Sequence, residues 1–142
     1  MTSKIMSADQ AAALVKNNAT ILMSGHGGGV LEADFALAGI EKRFLETGEP
    51  KNLTLVHVSG VGNKNEKGVS RFAHEGMVKR VVGGHWGWSP KMVKLALDNR
   101  IEAYTLPQGV LSLLMREIAA KRIGLLSRVG LGTYADPRVD GG

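Results

Sequence analysis

The sequence predicts an α/β fold: an open, mostly parallel sheet with helices packed on both faces. Short apolar runs of strand length alternate with longer stretches whose apolar residues recur at helical spacing. Glycine also crowds the points where a strand hands over to the next element, at Ser24-Gly25-His26-Gly27-Gly28-Gly29, Ser59-Gly60-Val61-Gly62, Gly83-Gly84-His85-Trp86-Gly87-Trp88 and Pro107-Gln108-Gly109. In a parallel sheet all four junctions fall on the carboxyl edge, where ligands of such folds collect.

The elements come in order. Ser7 caps a helix reaching residue 16, with Asp9 in its first turn and Ala11, Leu14 and Val15 along one face. Residues 21–24 are short and apolar, as suits a strand buried on both faces. From residue 31 to 45, Leu31, Phe35, Ala38 and Leu45 keep helical spacing, and Gly48 with Pro50 ends the element. Residues 52–60 form a second strand and the polar, glycine-punctuated stretch 61–72 a loop. Residues 77–84 form a third strand. Ser89-Pro90 opens a helix to about residue 99, with the proline at its first position. Residues 101–106 make a fourth strand. After Pro107 a helix carries Val110, Leu113, Leu114, Ile118 and Ala119 on one broad face, and a last strand is expected within residues 125–133. There are no internal repeats and no low-complexity linker, so residues 1–142 form one domain.

Composition narrows the function. Without cysteine, disulfides, thiolate catalysis and thiolate metal sites are excluded. The opening MTSKIMSADQ lacks the apolar core of a signal peptide, and no apolar run approaches the roughly 20 residues of a membrane helix, which predicts a soluble cytoplasmic protein. The net charge of +5 is spread over single residues and pairs such as Lys42-Arg43, Lys79-Arg80 and Lys121-Arg122. Aromatics are only 5%. A stacking platform for nucleic acid is therefore poorly supplied, and the charge suits a small polyanion or solubility.

The glycine junctions carry the chemistry. A glycine lets backbone N–H groups approach an oxyanion or phosphate, and a following helix N-terminus adds positive potential. Tight turns alone also need glycine, but four such junctions on one edge favour a site. A dinucleotide fingerprint is not met, because Gly25 and Gly27 are followed by Val30 where the pattern wants its third glycine. His26, His57, His74 and His85 show no metal-ligand spacing, so no metal site is expected. His57 lies inside an apolar strand, as a hydrogen-bonded core residue would. His74-Glu75 fits an acid/base pair or a solvated helix end. Trp86 and Trp88 fit an adenine or acyl pocket, or packing on a neighbouring helix. These residues leave open a stand-alone nucleotide- or phosphate-binding module and, more remotely, a basic nucleic-acid binding domain.

The segments EKRFLETGEPKNLTLVH, RFAHEGMVKRVVGGHWG, NRIEAYTLPQG and VGLGTYADPR resemble successive parts of the family I coenzyme A transferases of the propionate, acetate and acetoacetate type. The resemblance covers essentially the whole chain, from residue 5 to residue 142. It implies the N-terminal, alpha-type half of an enzyme that moves CoA between a short-chain acyl-CoA and a carboxylic or 3-keto acid, in short-chain fatty acid and ketone body metabolism. By the same resemblance Gly25, His26, Gly27, Gly28 and Gly29 occupy the loop that helps form the oxyanion and acyl pocket. Gln108 and Gly109 match a second active-site segment, with Ser59, Gly60, His85 and Trp86 as further pocket-lining candidates. His26 stands where family members usually have phenylalanine and Leu31 where they often have proline, which implies a more polar acyl pocket. The family's nucleophile is a glutamate in a Glu-x-Gly motif of the second half, which attacks the thioester and becomes a glutamyl-CoA thioester. Glu75-Gly76-Met77 departs from that pattern, and no catalytic residue is expected in this chain. The implied partners are the C-terminal, beta-type half, the acyl-CoA and carboxylate substrates and further copies in a homo-oligomer, with no nucleic acid or membrane. Coenzyme A is then a substrate, and no permanently bound cofactor is expected.

Overall fold

The computed structural model describes residues 5–25 and 27–139. The first helix, α1 (Ala8–Ala13), opens as the sequence predicts: Ser7 Oγ accepts from the Gln10 N–H at 3.1 Å, and Gln10 Oε1 accepts from the Ser7 N–H at 2.8 Å. It ends three residues short of the expected point. Arg43 braces the early end, because its guanidinium donates to the Ala12 and Val15 carbonyls at 2.8 and 2.7 Å, the former also accepting from the Val15 N–H at 3.1 Å.

Strand β1 (Thr20–Met23) leads through the glycine loop to α2 (Asp34–Thr47). That helix starts later than its apolar spacing suggests, since Leu31 has a φ of +55° and cannot belong to a right-handed helix. It stops at Gly48, which takes the left-handed cap conformation as expected. Strand β2 (Leu53–His57) follows. The stretch 61–72 is not loop throughout: Gly68–Phe72 forms a 3-10 helix that buries Val69 and Phe72. Strand β3 (Val78–Gly83), helix α3 (Pro90–Leu97), strand β4 (Glu102–Thr105) and helix α4 (Gln108–Ala119) then alternate as predicted. Ser89 precedes α3 but does not cap it with its side chain. Its hydroxyl instead pairs with Ser70 Oγ at 2.9 Å in the interior, tying α3 to the 3-10 helix.

The strand expected within residues 125–133 is absent. Gly124, Gly130 and Gly132 all have positive φ, which breaks the extended run, and the chain turns instead around Asp136. The Asp136 carboxylate accepts from the Gly132 N–H at 2.7 Å and from the Arg138 guanidinium at 2.6 Å.

All four strands are parallel and lie in the order β1-β2-β3-β4. Parallel crossovers are right-handed, so a sheet that always grows in one direction keeps its connections on one face. The core shows this: Leu37 and Ile40 of α2, Phe72 of the 3-10 helix and Met92 of α3 are buried with Met23, Leu55 and Val81 of the sheet. Across the other face, Leu22, Val56, Val82 and Tyr104 pair in one row, with Leu22 and Tyr104 53% and 42% exposed. Beside that row Arg80 binds Glu102 at 2.6 Å and lies 5.9 Å from the Tyr104 ring.

Candidate functional site

Because the strands are parallel, Met23, His57, Gly83 and Thr105 end on one edge, and the four glycine junctions gather there as the sequence anticipates. The first two are stitched together. Ser59 Oγ donates to the Gly25 carbonyl at 2.8 Å, the Gly28 N–H donates to the Gly62 carbonyl at 2.8 Å, and the Gly62 N–H donates to Glu32 Oε1 at 2.6 Å. Gly28 has a φ of +86°, so glycine is required there for its backbone, while its N–H is engaged by Gly62 rather than turned to a ligand.

The third junction supplies a wedge. The Trp88 indole packs so closely on Gly27 and Gly60 that a Cβ on either would overlap the ring at Nε1 or Cδ1. Lys64 reinforces the wedge from the loop, with its N–H donating to the Trp88 carbonyl at 2.9 Å and its Nζ 5.1 Å from the ring. These glycines are therefore glycines because a tryptophan from a distant junction occupies the space. Sequence order gives no hint of that.

A cavity of about 360 Å³ opens at this edge, lined by Ser24, Gly25, Leu31, Val58, Ser59 and Gln108. Of the residues expected to form the site, the structure thus brings Gly25, Ser59 and Gln108 around one space. Gln108 is the first residue of α4, whose N-terminus has no side-chain cap. Gly29, with a φ of +81°, lies near the Lys67 and Asn63 side chains, and Gly109 is in the first turn of α4 with open space around its Cα. His26 lies outside the described residues. His85 is exposed beside Gly60 and Gly87. Trp86 turns away from this cavity into the α3 side of the sheet, where its Nε1–H donates to Thr105 Oγ1 at 3.0 Å. Leu31, Val58, Glu32 and Trp88 complete the edge. An acid just before a helix would ordinarily pass for a partner of the helix dipole, which hides Glu32 in the sequence.

His57 sits behind the edge and is 1% exposed. Its Nδ1 is 2.9 Å from the Ser59 carbonyl, an acceptor only, so Nδ1 carries the proton and Nε2 is the bare nitrogen. Gly83 leaves room for the ring, and Trp86 meets it edge-on at 5.7 Å. Burial holds the His57 pKa below its ordinary value, helped by the nearby His85 and opposed by the Ser59 hydrogen bond. The unfolded chain therefore binds this proton more readily, and the stability His57 contributes is present above about pH 6.5 and lost as the pH falls below it. His57→Gln should flatten the acid side of the stability profile between about pH 7.5 and 5 in urea titrations. An equally steep profile in the variant would assign the slope to other groups.

Around the site the scaffold is braced. Arg71 donates to both oxygens of Asp34, at 2.8 and 2.7 Å, and to Glu41 at 2.8 Å, and the Gly68 N–H also donates to Asp34. The Arg71 hydrogen bonds hold the Asp34 carboxyl below its usual range. A larger cavity of about 490 Å³ lies at the opposite edge, among Asn52, Lys79, Glu102 and the Glu75–Arg100 ion pair, away from every glycine-rich junction. Among the described residues no cluster of histidines and carboxylates could hold a metal ion, and no helix is long and apolar enough to cross a membrane.

The tripeptide Glu-x-Gly does occur in the chain, twice, as Glu46-Thr47-Gly48 and Glu66-Lys67-Gly68. Glu46 is exposed in the last turn of α2, near the opposite edge, and Glu66 is exposed with its Oε1 accepting from Asn63 at 3.1 Å. Neither lines the cavity at Gln108.

Comparison with known proteins sets this geometry in context. The family profile described as coenzyme A transferase matches residues 5–141. The chain is 40% identical over 138 residues to acetate CoA-transferase YdiF of Escherichia coli K12, covering 97% of this chain and 26% of that protein. It is 41% identical over 140 residues to the caffeate CoA-transferase of Acetobacterium woodii, covering 99% of this chain and again 26% of the relative. A solved structure of YdiF from E. coli O157:H7, a thioester complex with CoA, superposes with a TM-score of 0.90 at 40% identity, over 94% of this chain and 26% of that one. The alpha subunit of the acetoacetyl-CoA:acetate/butyrate CoA transferase of Clostridium acetobutylicum is 28% identical over 136 residues, 96% of this chain and 59% of the subunit.

Proposed function

The chain belongs to the coenzyme A transferase family, and from that membership we propose that it is the N-terminal, alpha-type part of an acyl-CoA:carboxylate CoA-transferase, completed by a C-terminal part. The observation that carries the reading is the cavity at the carboxyl edge. Gly25, Ser59 and Gln108 converge on it, and it lies within a match that runs almost from end to end of the chain. The chain spans about a quarter of the length of YdiF and the caffeate enzyme, 26% in each case, which supports a further part that completes the site.

In this reading the thioester carbonyl of a short-chain acyl-CoA enters the cavity, against the apolar walls of Leu31 and Val58. The nucleophile is a glutamate of the C-terminal part. Its carboxylate oxygen attacks the thioester carbon, the C–S bond breaks, and CoA leaves as a thiolate, giving an acyl-glutamyl anhydride. The thiolate then attacks the glutamyl carbonyl and releases the first carboxylic acid as its anion, leaving a glutamyl-CoA thioester. An incoming carboxylate takes the CoA by the same steps reversed. This chain supplies the donor for the tetrahedral oxyanion, the Gln108 amide, on a scaffold already fixed by the Ser59–Gly25 hydrogen bond. That YdiF has been solved as a thioester complex with CoA supports this reading.

The test is CoA exchange from acetyl-CoA to propionate. The 142 residues alone should show no turnover, and addition of the C-terminal part should restore it. Turnover by the chain alone would refute the division of labour, and an inactive assembled enzyme would refute the activity.

The row of Leu22, Val56, Val82 and Tyr104 supports the same partnership, since parallel sheets are ordinarily covered on both faces. Left without the rest of the enzyme, the chain should associate with itself through that row. Sedimentation should show the association weakening in Leu22→Lys, and a clean monomer at all concentrations would count against it.

A further inference from the structure

We infer that Glu32 is a positioning residue of the proposed acyl-transfer site, the side chain that sets the glycine loop against the turn at Gly62. The acyl-transfer part rests on the transferase reading above; the loop-setting part rests on the geometry alone. Glu32 reaches across from the approach to α2, and its Oε1 accepts the Gly62 N–H at 2.6 Å, the length of a charge-assisted bond. The Gly62 carbonyl in turn accepts the Gly28 N–H at 2.8 Å. Segment 28–32 therefore holds both faces of one glycine, on which the Trp88 and Lys67 carbonyls leave no room for a side chain. The Glu32 stem also lies directly beneath Gly25, with its Cγ 2.6 Å from where a Cβ would stand, and Gly25 lines the cavity. One side chain thus holds Gly25 by contact and Gly62 by a hydrogen bond, and through Gly62 it bears on Gly28.

A comparison two residues away shows why this is not ordinary scaffolding. Asp34 has both oxygens bound, by Arg71 and the Gly68 N–H, as a stabilising carboxylate should. Glu32 has one oxygen bound by one N–H, and its Oε2 is buried with no hydrogen-bond partner among the described residues. A carboxylate in that setting gives back in desolvation much of what its hydrogen bond contributes, so fold stability alone does not favour it. What it does secure is the placement of Gly25 and Gly28.

The experiment has two arms. In the 142-residue chain, amide hydrogen exchange is followed at Gly62 and Gly28 in wild type, E32A, E32D and E32Q. In the enzyme assembled with its C-terminal part, turnover and KM are measured for the same variants. E32A should lose Gly62 protection and turnover by about tenfold or more each, the loss of one charge-assisted hydrogen bond. E32D, which withdraws the carboxylate by one methylene, should resemble E32A and guards against a misfolded alanine variant. E32Q keeps an acceptor oxygen at full reach and should restore both to within about threefold of wild type, with the turnover loss in the others falling on kcat more than on KM. Gly62 protection retained in both E32A and E32D would overturn the assignment, as would E32Q behaving like E32A. Lost protection with wild-type turnover would reduce Glu32 to scaffolding. An assembled wild type that moves no CoA would overturn the transferase reading and the acyl-transfer part with it, while the exchange arm still decides whether Glu32 sets the loop.

Discussion

Gly27→Val should destabilise the protein by about 3 kcal/mol, the upper end of what overpacking costs, because the new side chain must occupy the place of the Trp88 indole. The indole has little room to yield: Gly60 lies against it, and the Lys64 N–H holds its carbonyl. Trp88→Ala removes the wedge and should cost about as much by itself, roughly 3 kcal/mol through lost packing. The double variant should cost clearly less than the sum, since the valine then has a void to enter. Gly28→Val separates this effect from backbone strain. A side chain there meets only open space near Trp88, yet the φ of +86° is costly for any residue but glycine, by about 1–2 kcal/mol. Urea titrations of the four variants decide the matter, and additive costs for Gly27→Val and Trp88→Ala would show that the two residues do not share that space.

Gln108→Ala should lower turnover of the assembled enzyme on the order of a hundredfold, the usual consequence of removing one oxyanion donor, with little change in melting temperature. Gln108 is exposed at the rim of the cavity and begins α4 without serving as its cap, so the fold does not depend on its amide. Gln108→Glu should be worse, because in the proposed mechanism it sets a negative charge beside both an anionic nucleophile and a developing oxyanion. Trapping the proposed enzyme-CoA thioester would give the number of competent sites, so turnover per site can be separated from loss of folded protein. Wild-type turnover in both variants would return Gln108 to the helix and leave the oxyanion to backbone donors.

Gly27 and Gln108 mark the limits of what a sequence discloses. Local grammar was legible: the Ser7 cap, the Gly48 stop and the proline opening α3 all stand where the sequence placed them. Gln108 was also legible as the residue between a strand and a helix. The positive φ of Leu31 and the turns that replace the last expected strand were not, because an apolar run looks extended until its backbone angles are known. The Trp88 wedge was hidden for another reason. It depends on Gly27, Gly60 and Trp88 meeting from three junctions, and periodicity carries no information about contacts over such separations. Glu32 was hidden likewise, since its partner at Gly62 lies 30 residues on.

The strand order has a consequence for how the chain acquires its shape during synthesis. Since β1, β2, β3 and β4 lie side by side in the order in which they are made, each strand leaves the ribosome after its partner and finds an edge waiting for it. No strand has to be inserted between two already joined. Pairings such as Thr20 with Thr54 and Val81 with Ala103 span only part of the chain, so the loops closed at each addition are short. The sheet can therefore grow by accretion from the N-terminus, with β4 added last and α4 following it into place.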